Sequence, residues 1–339
     1  MLNYNLIKRF VRNPRSLLQK VSLKYSHKIL PDAINFPYFR GFSNLDDFYS
    51  QFFNKNVFIV PLSVPYNYMK QRPHHIAKSM SLHMNVCYFT GALFYNPDNI
   101  KGIEKLQHNF YLINDGINGN SYKKLEKRVL YLFLPHDHYS YIKEDKDSFV
   151  IYDYLDEIDI SPRYSKVTKY RHLELLKRAN IIVASSDKLF KSIPKKFQSK
   201  SMLIKNGVHY EDFLNLSNSK KNLNKLTIGF YGALEKWIDI EFFIRIANTN
   251  KYKVKIIGPI IEQNFHSLSN MDNIQMCGHQ PYEELPKLTE EIDIFILPFK
   301  VNNLTKSVSP VKLYEHFATG KPIVSTDIPE CAGHPNVLI

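Results

Sequence analysis

The sequence predicts an α/β protein made of two parallel sheets with helices on both faces. Three observations carry this. Short apolar, β-branched runs alternate with helical segments from 56 to 208. The alternation restarts at 225 after a polar stretch, HYEDFLNLSNSKKNLN, over 209–224. A chain of 339 residues is long for one core and comfortable for two.

In order, NVFIVPLSV (56–64) reads as a strand and QRPHHIAKSMSLHM (71–84) as a helix. Strands follow at 85–91, 109–115, 128–135 and 148–156, then a helix over 167–179 and strands at 180–186 and 201–208. The second half opens with strand 225–232 and helix 237–250. Strands at 252–259, 273–278, 292–299 and 322–327 follow, with a short helical linker over 281–291. Fully apolar short strands separated by helices belong to parallel sheets covered on both sides. The predicted organisation is a basic extension over 1–50, one α/β domain over 51–208, a linker over 209–224 and a second α/β domain over 225–339.

Composition narrows the classes. No apolar run approaches the ~18 residues of a spanning helix, and residues 1–20 lack the apolar core and cleavage site of a secretory signal. Cys87, Cys277 and Cys331 are scattered and odd in number, which argues against a disulfide framework and points to a reducing cytosol. The net charge is +13. Part of it is local, since residues 1–30 hold Lys8, Arg9, Arg12, Arg15, Lys20, Lys24 and Lys28 among apolar residues and no acid. This pattern suits a helix at an anionic membrane surface, or a solvated helical extension, with Pro14 as a break. No zinc finger, aromatic RNA-binding strand or recognition helix is present, so nucleic acid is not an expected partner.

Ligands of open parallel sheets sit beyond the carboxyl ends of the strands, so candidate residues are those just after strands. The turn Gly229-Phe-Tyr-Gly232-Ala-Leu-Glu-Lys236-Trp237 allows close approach of a phosphate to backbone amides, with Lys236 adding charge; a plain tight turn explains it as well. The segment SPVKLYEHFATGKPIVST reads as a helix capped by Ser309, with Pro310 at its first position, Leu313, Phe317 and Ala318 towards the sheet and Gly320 just past its end. Lys312 and Glu315 share one face. They are either a surface ion pair, or a division of labour in which Lys312 holds a phosphate and Glu315 accepts from a ribose diol. Arg72 and His75, after strand 56–64, and His136, after strand 128–135, are candidate catalytic residues placed at the mouth of the cleft. Asp153 and Asp156 are weaker ones, since capping explains them equally. His136-Asp137-His138 lacks a spaced third ligand, so no metal is expected. A UDP-sugar epimerase would need the dinucleotide fingerprint near its start and a Tyr-x-x-x-Lys pair; the early fingerprint is missing and Ala318 stands where Tyr314 would need a lysine.

These residues, in this order, resemble a family. Arg72-Pro73-His74-His75, Ile151-Tyr-Asp-Tyr-Leu-Asp-Glu157, Ala179-Asn-Ile-Ile-Val-Ala-Ser-Ser186, Lys205-Asn-Gly-Val208, the 229–237 turn, Ile257-Gly-Pro259, Leu297-Pro-Phe299, Asn303-Leu-Thr305, Ser309 to Glu315 and Gly320 to Thr326 run in sequence over about 55–330. The chain resembles the GT-B glycosyltransferases, in particular the large retaining group that uses nucleotide sugars. The likeness is to bacterial members acting in capsule, teichuronic acid or lipopolysaccharide assembly.

The resemblance implies two Rossmann-like domains facing across a cleft, with the C-terminal domain incomplete here, since only 328–339 follow the last strand. It implies that Glu315 binds the donor ribose, that Gly232, Lys236 and Lys312 lie by the diphosphate, and that Asn303, Leu304 and Thr305 border the transferred sugar. The resemblance further implies a UDP- or GDP-sugar donor used without a cofactor and a glycan or lipid-linked glycan acceptor, and it makes Arg72, His75 and His136 acceptor contacts. The expected location is cytoplasmic or peripheral on the inner face of the membrane. One departure stands out. The first glutamate of the family's pair falls at Ser307. The alternative class is therefore a weak or inactive partner subunit that binds nucleotide or glycan.

Overall fold

The computed structural model describes residues 45–62, 64–67, 70–90, 98, 100, 102–115, 121–158, 164–213 and 225–339. Almost all of the basic extension and most of the linker lie outside them. Contacts divide the chain into two compact units, one of Met1–Pro65, Ser81–Val150 and Tyr164–Ala179, the other of Tyr66–Met80, Ile151–Arg163 and Asn180–Ile339.

The first unit starts with α1 (Leu45–Ser50), whose Phe48 and Tyr49 are buried. Phe48 meets Phe52 and Tyr111 edge to face at 5.1 and 5.2 Å. Strands β1 (Asn56–Val60), β2 (Asn85–Phe89), β3 (Gly102–Gln107), β4 (Phe110–Asn114) and β5 (Lys127–Leu132) follow. Their order is β3-β4-β2-β1-β5. All of these pairs are parallel except β3 with β4. Strand β3 escaped the sequence reading because it is polar: its outer four residues are exposed, the composition of a managed edge. Helices α3 (Pro135–Glu144) and α4 (Lys166–Arg178) belong to this unit, and Ser165 caps α4 through the Thr168 amide.

The second unit carries α2 (Arg72–Met80), the main part of β6 (Phe149–Tyr154), β7 (Ile181–Ala184) and β8 (Ser201–Leu203), with β6, β7 and β8 paired in parallel. Helix α5 (Asp187–Ser192) follows β7. The unit also holds a six-stranded sheet in the order β11-β10-β9-β12-β13-β14. Its strands are β9 (Thr227–Tyr231), β10 (Lys253–Ile257), β11 (Ile274–Met276), β12 (Ile294–Leu297), β13 (Ile323–Ser325) and β14 (Val337–Leu338), and every pair is parallel. Helices α6 (Ile240–Asn248), α7 (Leu285–Thr289) and α8 (Val311–Ala318) lie between them in sequence. The core joins Phe230 and Phe243 edge to face at 5.5 Å, with Ile256, Phe265, Phe295 and Leu313 fully buried. Strand order reverses between β9 and β12, and a crevice forms beyond the carboxyl ends at such a switch point.

Candidate functional site

The crevice holds a cavity of about 460 Å³, whose described lining residues all belong to the second unit. It opens beyond β9 at Tyr231 and Gly232 and beyond β10 at Gly258 and Pro259, with Leu304 and Thr305 also in its lining and Lys312 and Glu315 projecting from α8.

Two residues of α8 set its chemistry. Glu315 is only 4% exposed. Burial pushes its carboxyl up to about 7, while Lys312 and the Tyr231 phenol pull the other way. Burial lowers the Lys312 ammonium, and Glu315 opposes that fall. The pair is therefore not a solvated surface bridge. Both side chains face one cavity, in the partly dehydrated setting where charge is most strongly felt.

Gly232 makes this possible. Its φ is +130°, and a Cβ there would collide with Cε of Lys312. The turn differs from its sequence reading in one respect. The Gly232 and Leu234 amides donate to the Ile257 and Pro259 carbonyls at 2.8 and 3.0 Å, so they are not open to a phosphate. What the glycine provides is room for the Lys312 stem.

Helix α8 also departs slightly from expectation. Pro310 occupies the cap position, one residue later than Ser309, and no side chain caps it. The Ser309 carbonyl accepts instead from Asn206 Nδ2 at 2.5 Å. The inward face is Leu313, Glu315 and His316, because the His316 ring lies 4.1 Å from Phe295 and 4.7 Å from Tyr231, measured between centroids. Phe317 is only half-buried. Gly320 follows the helix with φ +69°, as its position predicts.

The other predicted site residues divide. Leu304 and Thr305 line the cavity, although the Thr305 hydroxyl is turned into its own loop, donating to the Lys300 carbonyl at 2.6 Å. Asn303 is exposed and away from the lining, its carbonyl accepting from Lys188 at 3.1 Å. Lys236 is also exposed and away from it; the tight turn brings in its neighbours Glu235 and Trp237.

Arg72 is a fastener. Its Nε donates to Asp153 at 2.7 Å, and its terminal nitrogens reach the carbonyls of Ile204 and Lys205 and the Asn206 amide oxygen. Asp153 and Arg72 are 1% and 6% exposed, so this is a buried charge pair rather than a group waiting for an acceptor. His75 sits beside a smaller cavity of about 190 Å³, with its Nε2 3.9 Å from Glu315 Oε1. Burial, then the neighbouring His209, lowers His75 to about 4.

His136 lies on α3 in the first unit, 3.3 Å from the Asp137 carboxylate. The His138 Nδ1 accepts from the amides of Phe133 and Leu134 at 3.0 and 3.2 Å, which is the work of a turn-stabilising side chain. Among the described residues, no group of three or more His, Cys, Asp or Glu is arranged to hold a metal.

Two contributors carried no role in the sequence reading. Asn206 joins Arg72 to the residue before the α8 cap. Glu157, 4% exposed, accepts from the Ser307 hydroxyl at 3.2 Å. A carboxylate thus stands next to position 307 after all, supplied by the segment that follows β6. The Ser186 hydroxyl donates to the Ser307 carbonyl at 2.9 Å and ties the same loop to the start of α5. Both Asn206 and Glu157 lie in motifs visible in the sequence, but their partners are 103 and 150 residues away.

Two largely parallel sheets, with a site at the switch point of the second and an acidic–basic pair on α8, are the architecture of the GT-B fold. Residues 225–339 match the family described as glycosyl transferases group 1. A stretch of 177 residues is 32% identical to TuaH of Bacillus subtilis (strain 168), named as a teichuronic acid biosynthesis glycosyltransferase. It covers 48% of this chain and 44% of that protein, so the match spans less than half of the relative's length. Among solved structures, sucrose-phosphate synthase from Thermosynechococcus elongatus aligns with a TM-score of 0.59 and 10% identity over 81% of this chain and 82% of that one. HepE of Anabaena, in complex with UDP-glucose, aligns with a TM-score of 0.58 and 12% identity over 81% of each chain.

Proposed function

We propose that the chain transfers a sugar from a nucleoside diphosphate sugar to a hydroxyl of a glycan or lipid-linked glycan in cell-surface polysaccharide synthesis, with retention at the anomeric carbon. The observation that carries this is the joint presence of buried Glu315 and half-buried Lys312 in one cavity at the carboxyl end of a parallel sheet. In this reading Glu315 accepts from both ribose hydroxyls and Lys312 neutralises the diphosphate. The bond between anomeric carbon and phosphate oxygen breaks, its electron pair leaves with the diphosphate, and the acceptor oxygen bonds to the same face. The acceptor proton passes to the departing phosphate.

Glu157 and Ser307 hold the loop that carries Leu304 and Thr305 against the sugar. His75 acts on the nucleotide side, through Glu315. We assign acceptor binding chiefly to 51–208 and donor binding chiefly to 225–339, with Lys70 and His75 of the former reaching the donor side. The basic segment within 1–30 supports contact with an anionic membrane, and no described helix is long and apolar enough to cross one.

Incubation with UDP-, GDP- and dTDP-sugars tests the reading. Release of free nucleoside diphosphate from one of them, increased by a glycan acceptor, is the expected result. Ser307 favours a second reading, a nucleotide-binding partner subunit without turnover. Binding of UDP or GDP with no release from any sugar would select it.

A further inference from the structure

We propose that Lys70 is the second cation on the donor diphosphate, taking the part that sequence reasoning assigned to Lys236. The inference rests on the nucleotide-sugar reading and adds a residue to it.

The charge of the cavity motivates the assignment. Among its described lining residues, the lysines and arginines are Lys70 and Lys312, while Asp156, Glu235 and Glu315 are acidic. A diphosphate brings further negative charge into that lining. Lys312 alone is a weak counterweight, because burial already disfavours its charged form. A second cation on another element is what the electrostatics of the site require.

Lys70 is positioned for the task. It lies on the segment after β1, two residues before the start of α2. Its Nζ sits 3.6 Å from the centroid of the Tyr66 ring and donates to the Tyr66 carbonyl at 3.0 Å. An ammonium held over an aromatic face keeps its charge and gives up much of the freedom that would otherwise oppose binding. The next residue is fixed too, since the Gln71 amide donates to His74 Nδ1 at 2.9 Å. Lys312 reaches the cavity from α8 and Lys70 from the entrance to α2, so the two cations come from elements far apart in sequence. When the anomeric carbon–oxygen bond breaks and its electrons pass to the diphosphate, Lys70 donates a hydrogen bond to that charge without transferring its proton.

The test is calorimetric titration of the full chain, wild type and Lys70→Met, with UDP and UMP, and with GDP and GMP in parallel. Wild type is expected to prefer the diphosphate over the monophosphate of one base. Lys70→Met is expected to weaken the diphosphate by roughly 10-fold or more while the monophosphate changes little, as loss of one charge-assisted contact predicts. Lys70→Arg should restore most of the preference. An unchanged diphosphate affinity in Lys70→Met overturns the assignment and leaves the nucleotide-sugar reading intact. An equal loss for both nucleotides overturns it as well, because it marks a structural effect. A wild-type chain that binds none of the four overturns the nucleotide-sugar reading itself.

Discussion

His75 Nε2 stands 3.9 Å from Glu315 Oε1, and burial drives the two groups towards neutrality from opposite sides. The carboxyl rises to about 7 and the imidazole falls to about 4. At neutral pH the contact is therefore not an ion pair. Glu315 changes charge in the physiological range beside a histidine that stays neutral.

Nucleotide affinity should follow that titration. A carboxylate accepts from both hydroxyls of a diol, whereas a carboxylic acid gives up one of those roles. Affinity for UDP or GDP is expected to fall as pH drops from 8 to 6 and to level off above the Glu315 midpoint. Glu315→Gln should flatten the profile and weaken binding by roughly 10- to 100-fold. Titrations at several pH values check this.

The same shift predicts a gain in stability from the same variant. The folded-state pKa of Glu315 lies above its ordinary value of 4.5. Its contribution to stability is thus fully present below 4.5 and is lost as pH rises through about 7. Above that, the buried charge costs on the order of 3 kcal/mol. Glu315→Gln should therefore unfold at higher temperature than wild type at pH 8, and the difference should vanish near pH 4. For His75 the sign is reversed. Its folded value is depressed, so its contribution is present above 6.5 and is lost as pH falls through about 4.

Gly232 ties backbone geometry to the site. A side chain there meets both a left-handed φ and the Lys312 stem. Gly232→Ala is expected to cost about 1–3 kcal/mol of stability and to weaken nucleotide binding by displacing Lys312. Thermal unfolding and UDP titration read the two effects separately. Normal affinity in a folded variant would remove the link between the glycine and the lysine.

Arg72 and Asp153 should matter to folding more than to substrate. Removing one partner of a buried pair costs about 3–5 kcal/mol. Arg72→Met should lower the unfolding midpoint strongly. At a temperature where it remains folded, the KM for acceptor should be close to wild type. A selective rise in acceptor KM would return Arg72 to the acceptor site.

Glu157→Gln should separate binding from turnover. The carboxamide keeps the size of the side chain but removes the charge that accepts from Ser307. Affinity for free nucleotide should hold, while kcat falls because the loop bordering the sugar is less well fixed.

Much of this was legible in the sequence, in proportion to how local the signal is. The strands were visible because fully buried parallel strands are continuous apolar runs, and Gly320 was visible because a helix end needs φ above zero. Edge strand β3 was not, since it is half polar. Glu315 and Lys312 could be paired because three residues on a helix share a face. Lys236 was placed at the phosphate by proximity to a glycine turn, but alternation through that turn carries Glu235 and Trp237 inward instead. The partners of Arg72 and Ser307 depend on long-range packing, which no local pattern encodes.

The central claim is that Glu315 reads the ribose of a nucleoside diphosphate in the second unit's cavity. A crystal structure of the full chain with UDP or GDP tests it most directly. Both ribose hydroxyls are expected within hydrogen-bond distance of the Glu315 carboxylate, with the diphosphate beside Lys312 and Gly232. A nucleotide bound in that cavity with its ribose turned away from Glu315, or bound elsewhere on the chain, would contradict it.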